Sequence, residues 1–395
     1  MSKPELTVIE GGLSLSASRQ NKQLIYAYVT DTRLMGVLAV YASWKLSDTD
    51  SGFHQFFYID CEESGFETYK SVIGSDEYDV HSIEQAIIGG LGAKKIEITK
   101  RQLQGLLTYY AGFNRSRGIP LPSGKEEYGF LIDPPEFLSD REKDELMKAI
   151  CGEMTTNYQV INYFLMRCFG RDHSGASYLA ADDVPVDLYD SYYPATFCKN
   201  VIDTDKMYAD NAVSYLCESL VEMNGNYETV ISKVIVKDLR IVAFEKCSGF
   251  AVSAAEAAMM LAKPEFVTVY EVLLSNDDID NNIDEFNINF NTVMSTHENG
   301  RMFMVFRKNN NHVKKRIFRL SNDVESVYYL TDFGQLIVAA YSLPSIMAAE
   351  LKLRKSPLAP FLMLTSKYEF KESILLEFVQ SDFEDFDEFL DFIKD

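Results

Sequence analysis

Residues 213–236 read VSYLCESLVEMNGNYETVISKVIV, and this stretch decides the fold class. Two apolar runs, Val213–Met223 and Tyr227–Val236, flank Asn224-Gly225-Asn226. An Asn-Gly dipeptide between such runs is the strongest short-range signal of a β-hairpin, because both turn positions favour positive φ. The sequence therefore predicts two antiparallel strands here.

Apolar, aromatic-rich runs of the same kind recur on both sides of this hairpin. They predict strands at Leu24–Thr30, Met35–Leu46, Phe53–Cys61, Phe66–Ile73, Leu239–Glu245, Phe266–Leu274, Phe286–Met294, Arg301–Arg307, Lys314–Leu320 and Val324–Leu330. Meanders followed by a helix occur near 24–114, 212–274 and 286–353, without a residue-level repeat. We expect an α+β protein with antiparallel β-meanders, each covered by helices, in two main domains with a helical connection.

Helix starts are marked by the capping box, in which Ser or Thr is followed three residues later by Glu or Gln. Such boxes begin at Ser82, Thr99, Ser139 and Ser253. After Thr99 the apolar residues follow helical spacing, at Leu103, Leu106, Leu107 and Tyr110. Three further helices are predicted: Asn157–Phe169, a helix from about Asp332 that is broken near Pro344 and continues to Leu353, and an acidic amphipathic helix within Ser381–Asp395.

A chain of 395 residues exceeds the size at which one hydrophobic core stops growing, so we expect more than one domain. Residues 1–22 read as a leader that could be disordered, and 23–130 as an N-terminal α+β domain. Prolines between 118 and 135 mark its end. Residues 131–200 form the helical connection, and 201–395 form a C-terminal α+β domain with a sub-domain break at 275–285.

Composition and charge exclude several classes of protein. The formal net charge of −21 argues against nucleic-acid binding by the whole surface, although it allows one local basic site. The six cysteines form no CxxC pair, so neither a disulfide framework nor a zinc site is indicated. The N-terminus lacks the apolar segment of a signal peptide, and Leu336–Leu351 is shorter than the roughly 20 residues that span a bilayer. We expect a soluble, cytoplasmic protein without membrane contact.

Sequence motifs for catalysis, metals and cofactors fail on inspection. Residues 118–125 resemble a phosphate loop, but too many residues separate the glycines, prolines remove backbone N–H groups, and Glu126 replaces the hydroxyl. A calcium-like run begins at Asp278, but its sixth position is Ile283 instead of Gly and its twelfth is Asn289 instead of Glu. The histidines show no metal-ligand spacing. We therefore predict no cofactor and no metal.

The basic segment, Arg301–Leu320, reads RMFMVFRKNNNHVKKRIFRL and contains seven Lys or Arg and no Asp or Glu. Two apolar runs flank a polar tip at residues 309–312, which predicts a β-hairpin. The predicted anion- or partner-binding residues are Arg307, Lys308, His312, Lys314, Lys315, Arg316 and Arg319. A basic ribbon could grip phosphates, but Lys and Arg on a hairpin also discourage edge-to-edge pairing of strands.

Two functions remain open from sequence. The first is a non-enzymatic binding or protein-interaction module that uses the basic hairpin for an anionic partner or ligand, either a protein or a polyanion; a homo-oligomer fits the same description. The second is an enzyme of hydrolase or transferase type with an inter-domain site near Cys168–His173. A thiol nucleophile needs a base within about 3 Å, which His173 could supply. However, Cys168 lies on the apolar stripe of a predicted helix, where buried, inert cysteines are common.

Overall fold

The first sheet among the described residues is five-stranded and antiparallel. The computed structural model of the protein describes residues 22–46, 52–74, 77–89, 93–186, 194–274, 291–307 and 317–394, so the predicted leader lies outside the described residues except for Lys22. The strands are β1 (Lys22–Thr30), β2 (Val37–Leu46), β3 (Gly52–Asp60), β4 (Gly65–Ile73) and β5 (Lys95–Glu97). Their spatial order is β4-β3-β2-β1-β5, so β1 to β4 form a meander and β5 pairs with β1 at the other edge. The four strands predicted in this region are confirmed.

One face of this sheet forms a hydrophobic core. Phe53, Phe57 and Ile59 alternate along β3 and are buried together with Trp44 of β2. A helix, Lys100–Arg117, contributes to the same core through its buried Leu103, Leu106, Leu107 and Tyr110. The predicted helical spacing after Thr99 is therefore confirmed, and its apolar face covers the sheet.

The described residues contain eleven α-helices. They are α1 (Glu77–Ile87), α2 (Lys100–Arg117), α3 (Lys125–Tyr128), α4 (Asp140–Ala149), α5 (Asn157–Phe169), α6 (His173–Ser177), α7 (Ala254–Leu261), α8 (Ile317–Asp323), α9 (Leu343–Lys355), α10 (Leu375–Val379) and α11 (Phe386–Lys394). The capping boxes at Thr99, Ser139 and Ser253 are all present. The box at Ser82 is wrong, because α1 begins five residues earlier and carries Glu77 and Asp79 in its first turn, where acidic groups favour a helix start.

The second sheet contains the hairpin predicted from Asn224-Gly225. Its order is β6 (Thr196–Met207), β7 (Val213–Met223), β8 (Asn226–Lys237) and β9 (Arg240–Val252). Asn224 has φ 53° and Gly225 has φ 78°, so both turn residues take the left-handed conformation that the sequence predicts.

The third sheet has six antiparallel strands. They are β10 (Glu265–Val272), β11 (Thr292–His297), β12 (Gly300–Phe306), β13 (Val324–Thr331), β14 (Gln335–Ala340) and β15 (Leu362–Phe370), in the spatial order β11-β12-β13-β14-β10-β15. With three antiparallel sheets and helices packed on them, the predicted α+β fold class is confirmed.

Two predictions in this region are wrong. The second strand of the basic hairpin was expected at Lys314–Leu320, but Ile317–Leu320 begins helix α8, whose Ile317 and Leu320 are buried on one face. The helix expected from Asp332 is instead strand β14 followed by α9. Pro344 lies in the first turn of α9 and does not break it, because the missing N–H of proline is harmless there.

The acidic amphipathic helix predicted near the end of the sequence is present as α11. Its buried residues are Phe386, Phe389 and Leu390. The ring of Phe386 packs on Phe378 of α10, with centroids 5.1 Å apart, and on Tyr368 of β15. The aromatic face of α11 thus packs on neighbouring elements, which leaves its acidic residues at the surface.

The chain divides into two compact units. The first contains residues 1–219 and 231–248, and the second contains residues 220–230 and 249–395. The predicted domain boundaries near residues 130 and 200 remain predictions. Among the described helices, none has the length and apolar character needed to cross a membrane.

Candidate functional site

A polar cavity of about 160 Å³ lies in the first unit, and we call it the arginine pocket. Its walls come from the connection between β1 and β2, from the turn after β3, from α2, and from the connection between α5 and α6 with the start of α6. The lining residues are Arg33, Cys61, Glu62, Tyr109, Tyr110, Phe113, Arg117, Arg171, Asp172, His173 and Ser174. Three guanidinium groups and two carboxyl groups therefore face one small space.

Arg33 and Asp172 form a buried, bidentate ion pair at the base of this pocket. Both side chains are 4% exposed, and Arg33 Nη2 donates to Asp172 Oδ1 at 2.7 Å while Nη1 donates to Oδ2. Ser174 Oγ and the Gly175 N–H also donate to Asp172, each at 3.1 Å. The two parallel hydrogen bonds of such a pair fix the orientation of both side chains and add to the attraction between their charges.

A second buried arginine, Arg167, lies beside this pair and is 1% exposed. Its Nη1 is 3.7 Å from Asp172 Oδ2 and 3.2 Å from Glu62 Oε1, the latter without the alignment of a hydrogen bond. Within the described residues, Nη1 and Nε of Arg167 have no hydrogen-bond partner. Two buried guanidinium groups thus share one well-bonded carboxylate.

The two carboxyl groups respond in opposite ways to this environment. Burial opposes the ionisation of Asp172, but the hydrogen bonds and charge of Arg33, together with Arg167, outweigh it and lower the pKa of Asp172. Burial raises the pKa of Glu62 to about 7, because the nearby charge of Arg167 is partly offset by Asp172, Asp60 and Glu63. Near neutral pH, Glu62 is therefore only partly ionised.

The turn that carries Glu62 is organised by Asp60, the last residue of β3. Its carboxylate accepts hydrogen bonds from the backbone N–H groups of Glu62, Glu63 and Ser64 at 2.8, 3.0 and 3.1 Å. Side-chain carboxylates that bond to following N–H groups are a common way to fix tight turns. The position of Glu62 is therefore set by its own chain segment.

Helix α2 is fastened to the same turn by its C-terminal residues. Asn114 is fully buried, and its side chain exchanges hydrogen bonds with the backbone of Phe66 at 2.7 and 3.0 Å. Arg117 Nη1 donates to the carbonyl oxygen of Glu62 at 2.7 Å. These contacts hold the open end of the pocket, where Arg117 lies, against the turn.

Arg117 differs from the two buried arginines. Its guanidinium packs 4.0 Å from the ring centroid of Phe113 and makes the single hydrogen bond to Glu62. Within the described residues no carboxylate lies at ion-pair distance from Arg117. Since a guanidinium has five donors, most of its donors remain available to a ligand in the pocket.

Arg171 and the residues after it complete the rim. Arg171 has φ 58°, a left-handed conformation that non-glycine residues adopt uncommonly. It directly precedes Asp172, the N-cap of α6, whose side chain accepts from the N–H of Gly175. The sharp turn between α5 and α6 thus brings the side chains of three consecutive residues, Arg171, Asp172 and His173, into the lining.

The thiols near the pocket are not activated. The hydroxyl of Tyr110 donates to Cys61 Sγ at 3.1 Å, and burial raises the pKa of Cys61 to about 12 against the lowering influence of Arg33. Burial likewise raises the pKa of Cys151 to about 12. A thiol acts as a nucleophile only in its deprotonated form, so neither cysteine is prepared for that role near neutral pH.

The residues predicted from sequence are distributed as follows. Of the seven residues predicted in the basic segment, Arg307 is exposed and donates to Ser345 Oγ at 2.9 Å, and Arg319 is exposed on α8. The other five lie outside the described residues: Lys308, His312, Lys314, Lys315 and Arg316. The prediction that the basic segment binds an anion therefore remains a prediction. In the alternative site, His173 lines the arginine pocket, whereas Cys168 is buried on α5 and is not among the lining residues.

Sequence reasoning missed Arg33, Glu62, Arg117 and Arg167 as site residues. Arg33 and Asp172 are separated by 139 positions, so no local spacing connects them. One signal was present: Arg167 falls within the apolar face of a predicted helix, and a charged residue on such a face is rarely buried without a partner. This observation could have identified Arg167 but not its partners.

The pocket holds no recognisable metal site, since no group of three His, Cys, Asp or Glu residues suited to a metal ion occurs among the described residues. Comparison with known proteins adds no function. No family model, no curated protein and no solved structure matches this chain. Functional inference therefore starts from the pocket's own chemistry.

Proposed function

We propose that this protein is a binding module for a small anionic group, such as a phosphate or carboxylate, held in the arginine pocket. One observation carries the proposal: Arg33, Arg117 and Arg171 line a single small cavity in a chain whose net charge is −21. Guanidinium groups suit this task because their planar donors match the oxygens of phosphate and carboxylate. A local cluster of positive charge in an acidic protein favours anionic ligands at that place.

The surroundings of the pocket favour a small group over an extended polymer. A wider depression of about 440 Å³ shares Glu62, Arg117, Arg171 and His173 with the pocket and provides an approach to it. Helix α2 ends at Arg117, and a helix C-terminus carries a partial negative charge that disfavours anions. Attraction must therefore come from the guanidinium groups at short range, which limits binding to a group small enough to reach them.

The alternative, an enzyme that uses the Cys168–His173 region, remains a hypothesis. It gains support only from the position of His173 in the pocket lining. Its test is alkylation of thiols across pH. If Cys168 shows no reactivity below pH 8, it is not an activated thiolate and this alternative fails.

Calorimetric titration with inorganic phosphate tests the proposed function. The informative variant is Arg117→Gln, which removes an exposed charge without opening the core. We expect it to weaken phosphate binding by about tenfold to a hundredfold, since a hydrogen bond from a charged group contributes about 1.5–3 kcal/mol.

The matched control is Arg115→Gln, because Arg115 is also exposed in the last turn of α2 but does not line the pocket. It should keep the affinity of the unmodified protein within about twofold. Phosphate binding that is undetectable, or that both variants weaken equally, would contradict the proposal.

A further inference from the structure

A second cavity of about 350 Å³ lies beside the arginine pocket in the first unit, and we call it the apolar groove. It runs between α2, α4 and the segment that precedes α4. Its apolar walls are formed by Leu106, Phe137, Leu138, Leu146 and Met147. The volume falls in the range of cavities that hold small molecules, and a mostly apolar lining with few polar groups is typical of them.

The floor of the groove is open at Gly112. A Cβ added to Gly112 would meet no atom within 4 Å. At Gly105, two turns earlier on the same helix face, an added Cβ would lie 2.4 Å from Leu138 Cγ. The protein thus fills the space above Gly105 with a leucine and leaves the space above Gly112 empty. Between these two glycines, seven residues of helix give the groove floor a length of about 10 Å.

Tyr109 connects the groove to the arginine pocket. Its side chain lines both cavities and is 42% exposed. Lys143 Nζ lies 4.3 Å from the centroid of its ring, which adds a positive charge at the junction. Around the axis of α2, Tyr109 lies between Gly112 and Arg117, about 60° from the first and about 80° from the second, so the route from apolar surface to guanidinium passes round the helix at Tyr109.

The walls of the groove are incompletely covered. Phe137 is 74% exposed, and together with Tyr109 it presents aromatic surface to solvent beside the groove. A ligand that entered only the arginine pocket would leave this aromatic surface exposed to solvent. A ligand with an apolar tail would cover it and gain the corresponding hydrophobic free energy.

We propose that the arginine pocket and the apolar groove form one site for an amphiphilic anion, with a phosphate or carboxylate head and an unbranched alkyl tail. This inference rests on the proposed function for the head group. The head binds Arg33, Arg117 and Arg171, and the tail passes Tyr109 and lies over Gly112 between Leu138 and Met147. The charge of the pocket selects the head, and its continuity with the groove through Tyr109 selects the tail.

The test is calorimetric titration with inorganic phosphate, octyl phosphate and octanoate, each kept at concentrations where the amphiphile is monomeric. We expect octyl phosphate to bind at least about tenfold more tightly than inorganic phosphate, because several methylenes are removed from water. The two octyl ligands distinguish a phosphate head from a carboxylate head, and binding of either supports the inference.

Gly112→Leu supplies the decisive variant, because a Cβ at this position meets no atom within 4 Å and the leucine side chain would occupy the open floor. It should weaken binding of the octyl ligand at least about tenfold and leave inorganic phosphate within about twofold. Arg115→Leu, on the same helix outside both cavities, is the matched control and should change neither. Thermal unfolding of each variant checks that it is folded.

Each result has a distinct meaning. The inference is overturned if the octyl ligands bind no more tightly than phosphate, or if Gly112→Leu does not weaken their binding. In either case, phosphate binding would still support the proposed function. Octyl binding that Arg117→Gln leaves unchanged indicates nonspecific association with apolar surface and also overturns it. If neither phosphate nor any octyl ligand binds, the proposed function itself fails.

Discussion

The arginine pocket and the basic segment are both rich in cations but differ in how those cations are assembled. In the pocket, Arg33, Arg117 and Arg171 come from distant parts of the chain and converge on one cavity, two residues of which are carboxylates. In the basic segment, seven Lys or Arg residues lie within twenty consecutive positions without an acidic residue. Density of charge along a sequence and convergence of charge in space are therefore separate properties.

This difference teaches what each arrangement can recognise. Buried, paired arginines such as Arg33 are held in fixed orientations, which suits selection of a ligand by shape. Exposed cations, represented by Arg307 and Arg319, attract anions mainly through a field that salt screens over about 10 Å.

The largest expected effect follows Asp172→Asn. Asparagine keeps the N-cap of α6 but leaves Arg33 and Arg167 buried without their shared charge, so we expect a loss of about 3–5 kcal/mol in the free energy of unfolding. Urea denaturation measures it. Asp144→Asn is the control, since its exposed pair with Lys148 should contribute only about 0–0.5 kcal/mol. Equal losses in the two variants would show that the buried ion pair contributes no more to stability than an exposed one.

A second prediction concerns stability against pH. The pKa of Glu62 is about 7 in the folded protein against an ordinary value of 4.5, so the folded state keeps this proton over a window where the unfolded state has lost it. Stability contributed by Glu62 therefore falls as pH rises from about 4.5 to 7. We expect the free energy of unfolding of Glu62→Gln to rise by about 1–3 kcal/mol relative to that of the unmodified protein as pH increases across that window. Parallel curves of unfolding free energy against pH would contradict this assignment.

The third prediction concerns ligand affinity against pH, measured with sulfate because sulfate does not change charge in this range. Ionised Glu62 competes for the arginines, so sulfate affinity should fall about threefold to tenfold between pH 6 and pH 8. Glu62→Gln should reduce this dependence and keep tight binding at pH 8. The control is Glu63→Gln, at the exposed residue next to Glu62, which should leave the pH dependence of sulfate affinity unchanged. His173 also lines the pocket. If sulfate affinity of Glu62→Gln falls with pH as much as that of the unmodified protein, Glu62 is not the group responsible.

The smallest expected effect on the pocket comes from the basic segment. Lys314→Glu/Lys315→Glu should abolish salt-dependent retention on a heparin column if this segment binds polyanions, because charge reversal removes the counterion release that drives such binding. The affinity of the arginine pocket for phosphate should stay within about twofold. Retention that is absent in the unmodified protein would remove the hypothesis for the basic segment, and a loss of phosphate affinity would show that the two cationic regions are coupled.

Much of the fold follows from local sequence. The capping boxes at Thr99, Ser139 and Ser253 and the turn at Asn224-Gly225 were predictable because each depends on atoms a few residues apart. One failure occurred where an apolar run satisfies two structures equally well. Residues 335–340 are buried on both faces as a central strand, and a continuous apolar run does not distinguish such a strand from a buried helix.

Local sequence was sufficient to predict the first β-meander, the hairpin at Asn224-Gly225, the helix starts at Thr99, Ser139 and Ser253, and the antiparallel α+β class, because each depends on side-chain periodicity or turn chemistry within a short segment. It also determined that the protein is strongly acidic with one dense basic segment. Only the tertiary structure decided the arginine pocket. Arg33 and Asp172 are 139 positions apart in sequence and become partners only when the sheet and helices pack together. A buried ion pair produces no periodic pattern, so the sequence does not predict it.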